Sequence, residues 1–167
     1  MIAQTINSFL IYFFIVWISN ILLNFLYVIK RYIPKTKNFD KPIDGGLKYG
    51  KDRLVGESTT VVGLILSFIF STILFFTTEI FVWASIPILV YIGHTLGSII
   101  KRRMHKKDGE FLPVIDHGDY MIVTGVVFLL FGYISFTFFI LSIILNFILH
   151  PIACFLAFKL KLRENPY

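Results

Sequence analysis

The sequence predicts an all-α integral membrane protein, with five transmembrane helices in one membrane domain and two functional loops on the cytoplasmic side. Three observations carry this reading. Long stretches have no charged side chain, every Lys and Arg falls in three short segments, and the composition is strongly apolar. Of 167 residues, 56% are hydrophobic, 16% are charged and 19 are Phe, with a mean hydropathy of +0.78. A soluble domain averages about 25% charged residues, and the length allows a single domain. The composition excludes a disordered chain and argues against a soluble enzyme, a secreted disulfide scaffold or a nucleic-acid binder. Cys154 is the only cysteine, so no intrachain disulfide can form.

The first charge-free stretch runs from Met1 to Ile29. Two more cover 58–78 and 80–100, separated by Glu79, and the last covers 120–158. A helix rises about 1.5 Å per residue and the hydrocarbon core is about 30 Å thick, so roughly 20 residues cross it. The first three stretches therefore hold one span each, at 8–29, 58–78 and 80–100. The last would be about 58 Å long as one helix, enough for two spans. Gly132-Tyr133-Ile134-Ser135 offers the turn between them, giving spans at 120–134 and 136–158. Met1–Ile29 reads as a retained span and not a cleaved leader. It has no Lys or Arg ahead of a long apolar run, and no A-x-A site follows.

Orientation follows from the basic residues. All 16 lie in 30–57, in 101–119 or beyond 158. Five spans put these segments on one side, so they are expected in the cytoplasm with the N-terminus outside. Topology then explains most of the net charge of +6, and nucleic-acid binding needs no place.

Nine of the ten carboxylates share that side: Asp40, Asp44, Asp52, Glu57, Asp108, Glu110, Asp116, Asp119 and Glu164. Mixed clusters of carboxylates and cations suit a phosphate-handling site, in which acids hold Mg²⁺ and Lys or Arg hold phosphate oxygens. A solvated loop with weak ion pairs has the same composition. The 30–57 loop contains Pro42-Ile43-Asp44-Gly45-Gly46 and then Gly50-Lys51-Asp52-Arg53-Leu54-Val55-Gly56-Glu57. Glycines at this density let backbone N–H groups approach an anion, although no Walker motif is present. Ser58, Thr59 and Thr60 follow at the start of the second span, where free helix N–H groups face an anion or a cap.

The third span ends with His94, Ser98 and Lys101 along one helix face, Gly97 beside them, and Arg102 and Arg103 following. The basic triplet could serve as a membrane anchor or as a phosphate clamp. Asp116 and Asp119 stand three apart before the fourth span. They can cap that helix, or converge on one Mg²⁺. Trp83, Tyr120 and Tyr133 suit interfacial anchors. His150 within the last span suits a hydrogen-bonded structural role, though an ionisable residue there invites a functional one.

Together these segments resemble the CDP-archaeol synthase family, which is related to the CDP-diacylglycerol synthases. The family pattern runs P-[IL]-D-G-G, G-[DE]-x-K-T-W-R-G, G-D-x-x-x-S-F-x-K-R-R, G-E-x-x-P-x-x-D-Q-x-D and H-x-x-x-N, with a closing A-Y-x-L-x-L-K. This chain supplies Pro42–Gly46, Gly56, Glu57, Thr60 and Gly63. It continues with Gly93, Ser98, Lys101–Arg103, Gly109, Glu110, Pro113, Asp116 and Asp119, and ends with His150 and Ala157–Tyr167. The departures that bear on chemistry are Thr59 for Lys, Val61 and Val62 for Trp-Arg, His94 for Asp, and Cys154 for Asn.

The resemblance implies a CTP-dependent cytidylyltransferase that turns a lipid phosphate into a CDP-lipid plus pyrophosphate. Its partners would be CTP, a lipid phosphate and membrane lipids, with no nucleic acid; a homo-oligomer stays open. By the same resemblance Asp116 and Asp119 would bind Mg²⁺, with Mn²⁺ as an alternative, and Ser98 and Lys101 would complete the catalytic set. Asp44, Gly45, Gly46, Glu57, Thr60, His94, Arg102 and Arg103 would bind substrate. The departures leave open a degenerate member that only binds lipid or nucleotide. A CDP-alcohol phosphotransferase lacks its D-G-x-x-A-R motif here, and a transporter would need more polar residues inside the spans.

The topology is checked by placing a cysteine at position 105 in a Cys154→Ser background. Labelling is expected only from the cytoplasmic face; labelling only from outside would reverse the orientation.

Overall fold

The computed structural model describes residues 2–32, 41–78, 80–107 and 110–162, with the side chains of 6–25 in the first helix. Glu79, Asp108, Gly109, all four basic residues of 30–40, and Arg163–Tyr167 lie outside the described side chains. Among the described residues there are six helices: α1 (Ile2–Tyr32), α2 (Val61–Thr78), α3 (Phe81–Ala84), α4 (Ile86–Arg103), α5 (Pro113–Leu130) and α6 (Phe136–Lys159). A two-residue hairpin, β1 (Lys48–Tyr49) with β2 (Asp52–Arg53), interrupts the first loop. Because α3 and α4 form one continuous span, Phe81–Arg103, five helices among the described residues are long and apolar enough to cross a membrane.

Burial confirms the solvent these helices are built for. On α2 the buried residues are Gly63, Ser67 and Ser71, while Ile65, Phe68, Ile69, Ile73 and Phe76 are exposed. In water that arrangement would be inside out; in lipid, small polar faces pack inward and large apolar ones meet the acyl chains. The core joins Phe9, Tyr12, Phe13 and Val16 of α1 to Ile86 and Val90 of α4 and Tyr120, Met121 and Phe128 of α5. The chain is an integral membrane protein.

Helix boundaries differ from the charge pattern at two loops. α2 begins at Val61 and not at 58, because Thr60 caps it: its Oγ1 accepts the Gly63 N–H at 3.2 Å. α5 begins at Pro113, seven residues before the expected fourth span. Proline suits a first helical position, and Asp116 Oδ2 accepts the Leu112 N–H at 2.6 Å, satisfying a donor that the helix start leaves free. Between α3 and α4, Pro87 lacks the N–H that would continue the ladder, and Ser85 marks the break. The α5–α6 turn occupies 131–135, with Gly132 at φ +73° and the Ser135 side chain accepting the Phe138 N–H.

Glycines set the tightest helix contact. A Cβ on Gly93 would lie 2.5 Å from the Tyr120 Cα, and one on Gly97 would lie 2.3 Å from Asp119 Oδ2. Both glycines face α5, one turn apart, so the two backbones meet without side chains between them. Gly93→Ala should therefore push α4 and α5 apart and cost about 1–3 kcal/mol, read as a lower melting temperature in detergent. An unchanged melting temperature would show that this contact is loose.

Candidate active site at the α4–α5 end

The first loop folds back on itself before it meets the helices. Ile43 N–H donates to the Thr59 carbonyl and Val61 N–H to the Lys41 carbonyl, both at 3.0 Å, closing its base. Asp44 organises the interior. Its Oδ1 accepts from the Gly46 N–H at 2.9 Å and from Arg53 at 3.1 Å, and its Oδ2 accepts from the Val55 N–H at 3.0 Å. Gly45, Gly46 and Gly50 have φ of +59°, +89° and +68°, a region L-residues rarely enter. Burial of Asp44 works against its charge, but those two N–H groups and the Arg53 guanidinium hold its carboxyl below the ordinary value. Asp44 is thus a strut of the loop, and Arg53 also reaches the exposed Glu57 at 3.2 Å.

The end of α4 pins this loop. Ser98 Oγ accepts the Gly56 N–H at 2.8 Å, and the Tyr91 hydroxyl donates to the Thr60 carbonyl at 2.8 Å. Arg103 donates to the Arg53 carbonyl at 2.8 Å and lies over the Tyr49 ring at 4.9 Å. His105 meets Asp52 at 2.6 Å. Arg103 and Ser98 therefore hold the hairpin over the mouth of the α4–α5 seam, and Arg102 is buried beside them at 7% exposure.

At the seam itself, Lys101 Nζ sits 2.8 and 3.1 Å from the two oxygens of Asp116. Asp119 Oδ1 accepts the Tyr120 N–H at 2.6 Å, while its Oδ2 lies 3.4 Å from His94 Nδ1. His94 Nε2 in turn meets Asn20 Oδ1 of α1 at 2.9 Å. The structure thus brings together His94, Lys101, Asp116 and Asp119, with Ser98 on the same α4 face. It places Asp44, Gly45, Gly46, Glu57 and Thr60 in the pinned loop above them. Glu110 lies just before α5, where Lys106 at 2.6 Å and the Lys107 N–H depress its carboxyl.

Among the described residues no three His, Cys, Asp and Glu side chains form a ready metal cluster. The donor set nevertheless fits a divalent cation that takes its remaining ligands from substrate. Asp116 and Asp119 present carboxylate oxygens about one turn apart on α5, and Gly97, having no Cβ, lets the Asp119 carboxylate lie against α4 beside Lys101 and its partner Asp116.

The sequence reading passes over Asn20 and Asn146, although each is an amide within a charge-free span. Asn146 accepts from the Tyr120 hydroxyl at 2.6 Å and donates to the His117 carbonyl, tying α6 to the start of α5. His117 and His150 share an Nδ1···Nδ1 contact of 2.7 Å, and Cys154, at a position where the family pattern has Asn, lies 3.6 Å from His150. Thr59, where the pattern has Lys, is buried, whereas Val61 is exposed.

Comparison with known proteins bears on this arrangement. The family model described as CarS-like, CDP-archaeol synthase, matches residues 64–167. A CDP-archaeol synthase of Staphylothermus marinus is 32% identical over 131 residues, covering 74% of this chain and 73% of the relative. The chain belongs to the CDP-archaeol synthase family. A second member, from Sulfolobus acidocaldarius, is 28% identical over 135 residues, covering 75% of this chain and 83% of the relative. A solved intramembrane enzyme of archaeal membrane lipid biosynthesis has the same fold, with a TM-score of 0.62 at 21% identity over 83% of this chain and 90% of that one. The family match contains the whole seam, from His94 through Asp119; the first loop precedes it.

Asp44 gives this loop a pH dependence. Its folded pKa is depressed, so it stabilises the loop above its unfolded value of about 3.9. That contribution is lost as pH falls through the folded pKa. Hydrogen exchange corrected for intrinsic rates should show the Gly46 and Val55 amides protected at neutral pH and opening below about pH 4. Asp44→Asn should open them at neutral pH. Protection unchanged in both tests would remove Asp44 as the strut.

Proposed function

We propose that this chain is a CTP-dependent cytidylyltransferase of membrane lipid synthesis, working at the cytoplasmic face. The observation that carries the reading is the α4–α5 seam. In a member of this family, Lys101, Asp116, Asp119 and His94 converge directly beneath a glycine-rich loop held by Ser98 and Arg103. An oxygen of the lipid phosphate attacks the α-phosphorus of CTP. A new P–O–P bond forms, the bond from that phosphorus to the bridging oxygen breaks, and pyrophosphate leaves with the electron pair. The nucleophile is already an anion, so no strong general base is required. The difficulty is to hold two anions in line and to neutralise the leaving group.

Each residue has a part in that task. Lys101, paired to Asp116 without substrate, is positioned to turn its ammonium to a phosphate oxygen. The glycine-rich segment 45–50, whose Gly45, Gly46 and Leu47 N–H groups are bonded within the loop, would cover the nucleotide, and Arg53 and Arg103 keep that segment over the seam. Asp116 and Asp119 would hold the divalent cation, which supplies charge neutralisation on the phosphates. The lipid tails stay in the bilayer while the headgroup reaches the helix ends.

The test is a purified-protein assay with labelled CTP and a panel of lipid phosphates, ether-linked isoprenoid and ester-linked acyl, with mass spectrometry of the lipid product. Pyrophosphate release dependent on both substrates is expected. Asp116→Asn, Asp119→Asn and Lys101→Met should each lower turnover by about 100-fold or more while the protein stays folded. CTP binding without turnover on any lipid would point to a degenerate binding protein. Turnover kept in both aspartate variants would restrict Asp116 to capping α5.

A further inference from the structure

The lipid-facing side of α4 leads to the hairpin of the first loop. Ile92, Leu96 and Ile100 are exposed and stand four apart, so they form one stripe along the helix. Arg103, also exposed, continues that stripe three residues on, about 4.5 Å further along the axis. It therefore stands where acyl chains give way to headgroups. There its guanidinium lies 4.9 Å from the centroid of the Tyr49 ring and donates to the Tyr49 and Arg53 carbonyls at 3.4 and 2.8 Å. The hairpin is thus fastened at the bilayer surface, on a side of α4 that lipid covers. Its own residues match that place. Leu47 and Tyr49 alternate onto one side of their strand and are 64% and 71% exposed. An aromatic ring beside an apolar side chain suits the interfacial zone of a membrane. Tyr49 pairs with Asp52, so Gly50, at φ +68°, and the exposed Lys51 form the tip. Arg103 meets a ring and neutral carbonyls, and so keeps its positive charge. Cations next to interfacial side chains form the combination that anionic headgroups attract.

We propose that this hairpin docks onto the adjacent bilayer leaflet and binds anionic lipid there. Leu47 and Tyr49 enter the interfacial zone, and Lys51 and Arg103 hold headgroup phosphates. Two features commit the surface to lipid: its continuity with the exposed apolar stripe of α4, and its positive charge. Gly45 and Gly46 stay at the base of the loop around Asp44, so docking engages the tip alone. The proposal goes beyond the cytidylyltransferase reading and does not depend on what the α4–α5 seam catalyses.

Fluorescence quenching of the full chain in lipid nanodiscs tests this. Leu47→Cys in a Cys154→Ser background carries a small apolar fluorophore, and Lys107→Cys, just past α4, carries the same label as the aqueous reference. The nanodiscs hold phosphatidylcholine and phosphatidylglycerol, with one or the other brominated high in its acyl chains. The label at 47 should be quenched well above the label at 107. Brominated phosphatidylglycerol should be preferred at 47 by about fivefold for each engaged cation, and Lys51→Gln and Arg103→Gln should each reduce that preference about fivefold. Quenching at 47 no greater than at 107 would place the hairpin in water and overturn the proposal. Equal quenching by the two lipids, or a preference unchanged by both glutamine variants, would overturn the headgroup contact. Turnover enters none of these readouts. The full pattern in a protein that never uses CTP contradicts only the cytidylyltransferase reading; its absence from an active enzyme contradicts only this proposal.

Discussion

The contact of α4 with α5 through Gly93 and Gly97 is the constraint on which the rest of the structure depends. Only a helix pair without intervening side chains lets Asp119 sit against the α4 backbone while Lys101, two turns from Gly93, reaches Asp116. Were the helices held apart by even a methyl group, Asp116 would lose Lys101 and Asp119 its place against α4, leaving each carboxylate only the backbone N–H it accepts at the α5 start. Breaking a partly buried charged pair is costly, so the charges and the close approach require each other. The long α1 covers the seam from the third side, bringing Asn20 to His94 and Tyr12 to Thr124 at 3.1 Å.

A second level of order rests on that seam. The first loop would be an unanchored glycine-rich connector if α4 did not reach it. Ser98, Tyr91 and Arg103 give it fixed contacts, and Asp44 supplies the internal framework that makes those contacts meaningful. The proposed site is therefore assembled from a close-packed helix pair and a loop that the helix pins. Such preorganisation favours a reaction whose barrier is mainly positional and electrostatic.

Much of the fold was legible because lipid penalises charge so strongly: charge-free stretches mark the spans almost without regard to detail. The helix starts were less legible. Thr60 and Leu112 mark them through capping contacts that a composition scan does not weigh, and paired charges let α5 begin seven residues early. Within the site, His94, Ser98 and Lys101 could be placed on one face from their spacing alone. Their partners could not. Ser98 meets Gly56, 42 residues away, Lys101 meets Asp116 across a loop, and His94 meets Asn20 in a helix that reads as a plain apolar span. Those pairings come from packing, which spacing within one helix does not encode. Asp44 shows the opposite case, a residue assigned to the nucleotide whose oxygens the structure already occupies with its own loop.

The central claim is that loop, α4 end and α5 start form one nucleotide site. Hydrogen exchange of the full chain in detergent, with and without CTP and a divalent cation, tests it most directly. The account predicts protection that rises together in 41–60, 98–107 and 110–119, with α2 and α6 beyond their ends unchanged. Protection confined to one of these segments, or absent from all three while CTP is bound, would contradict it.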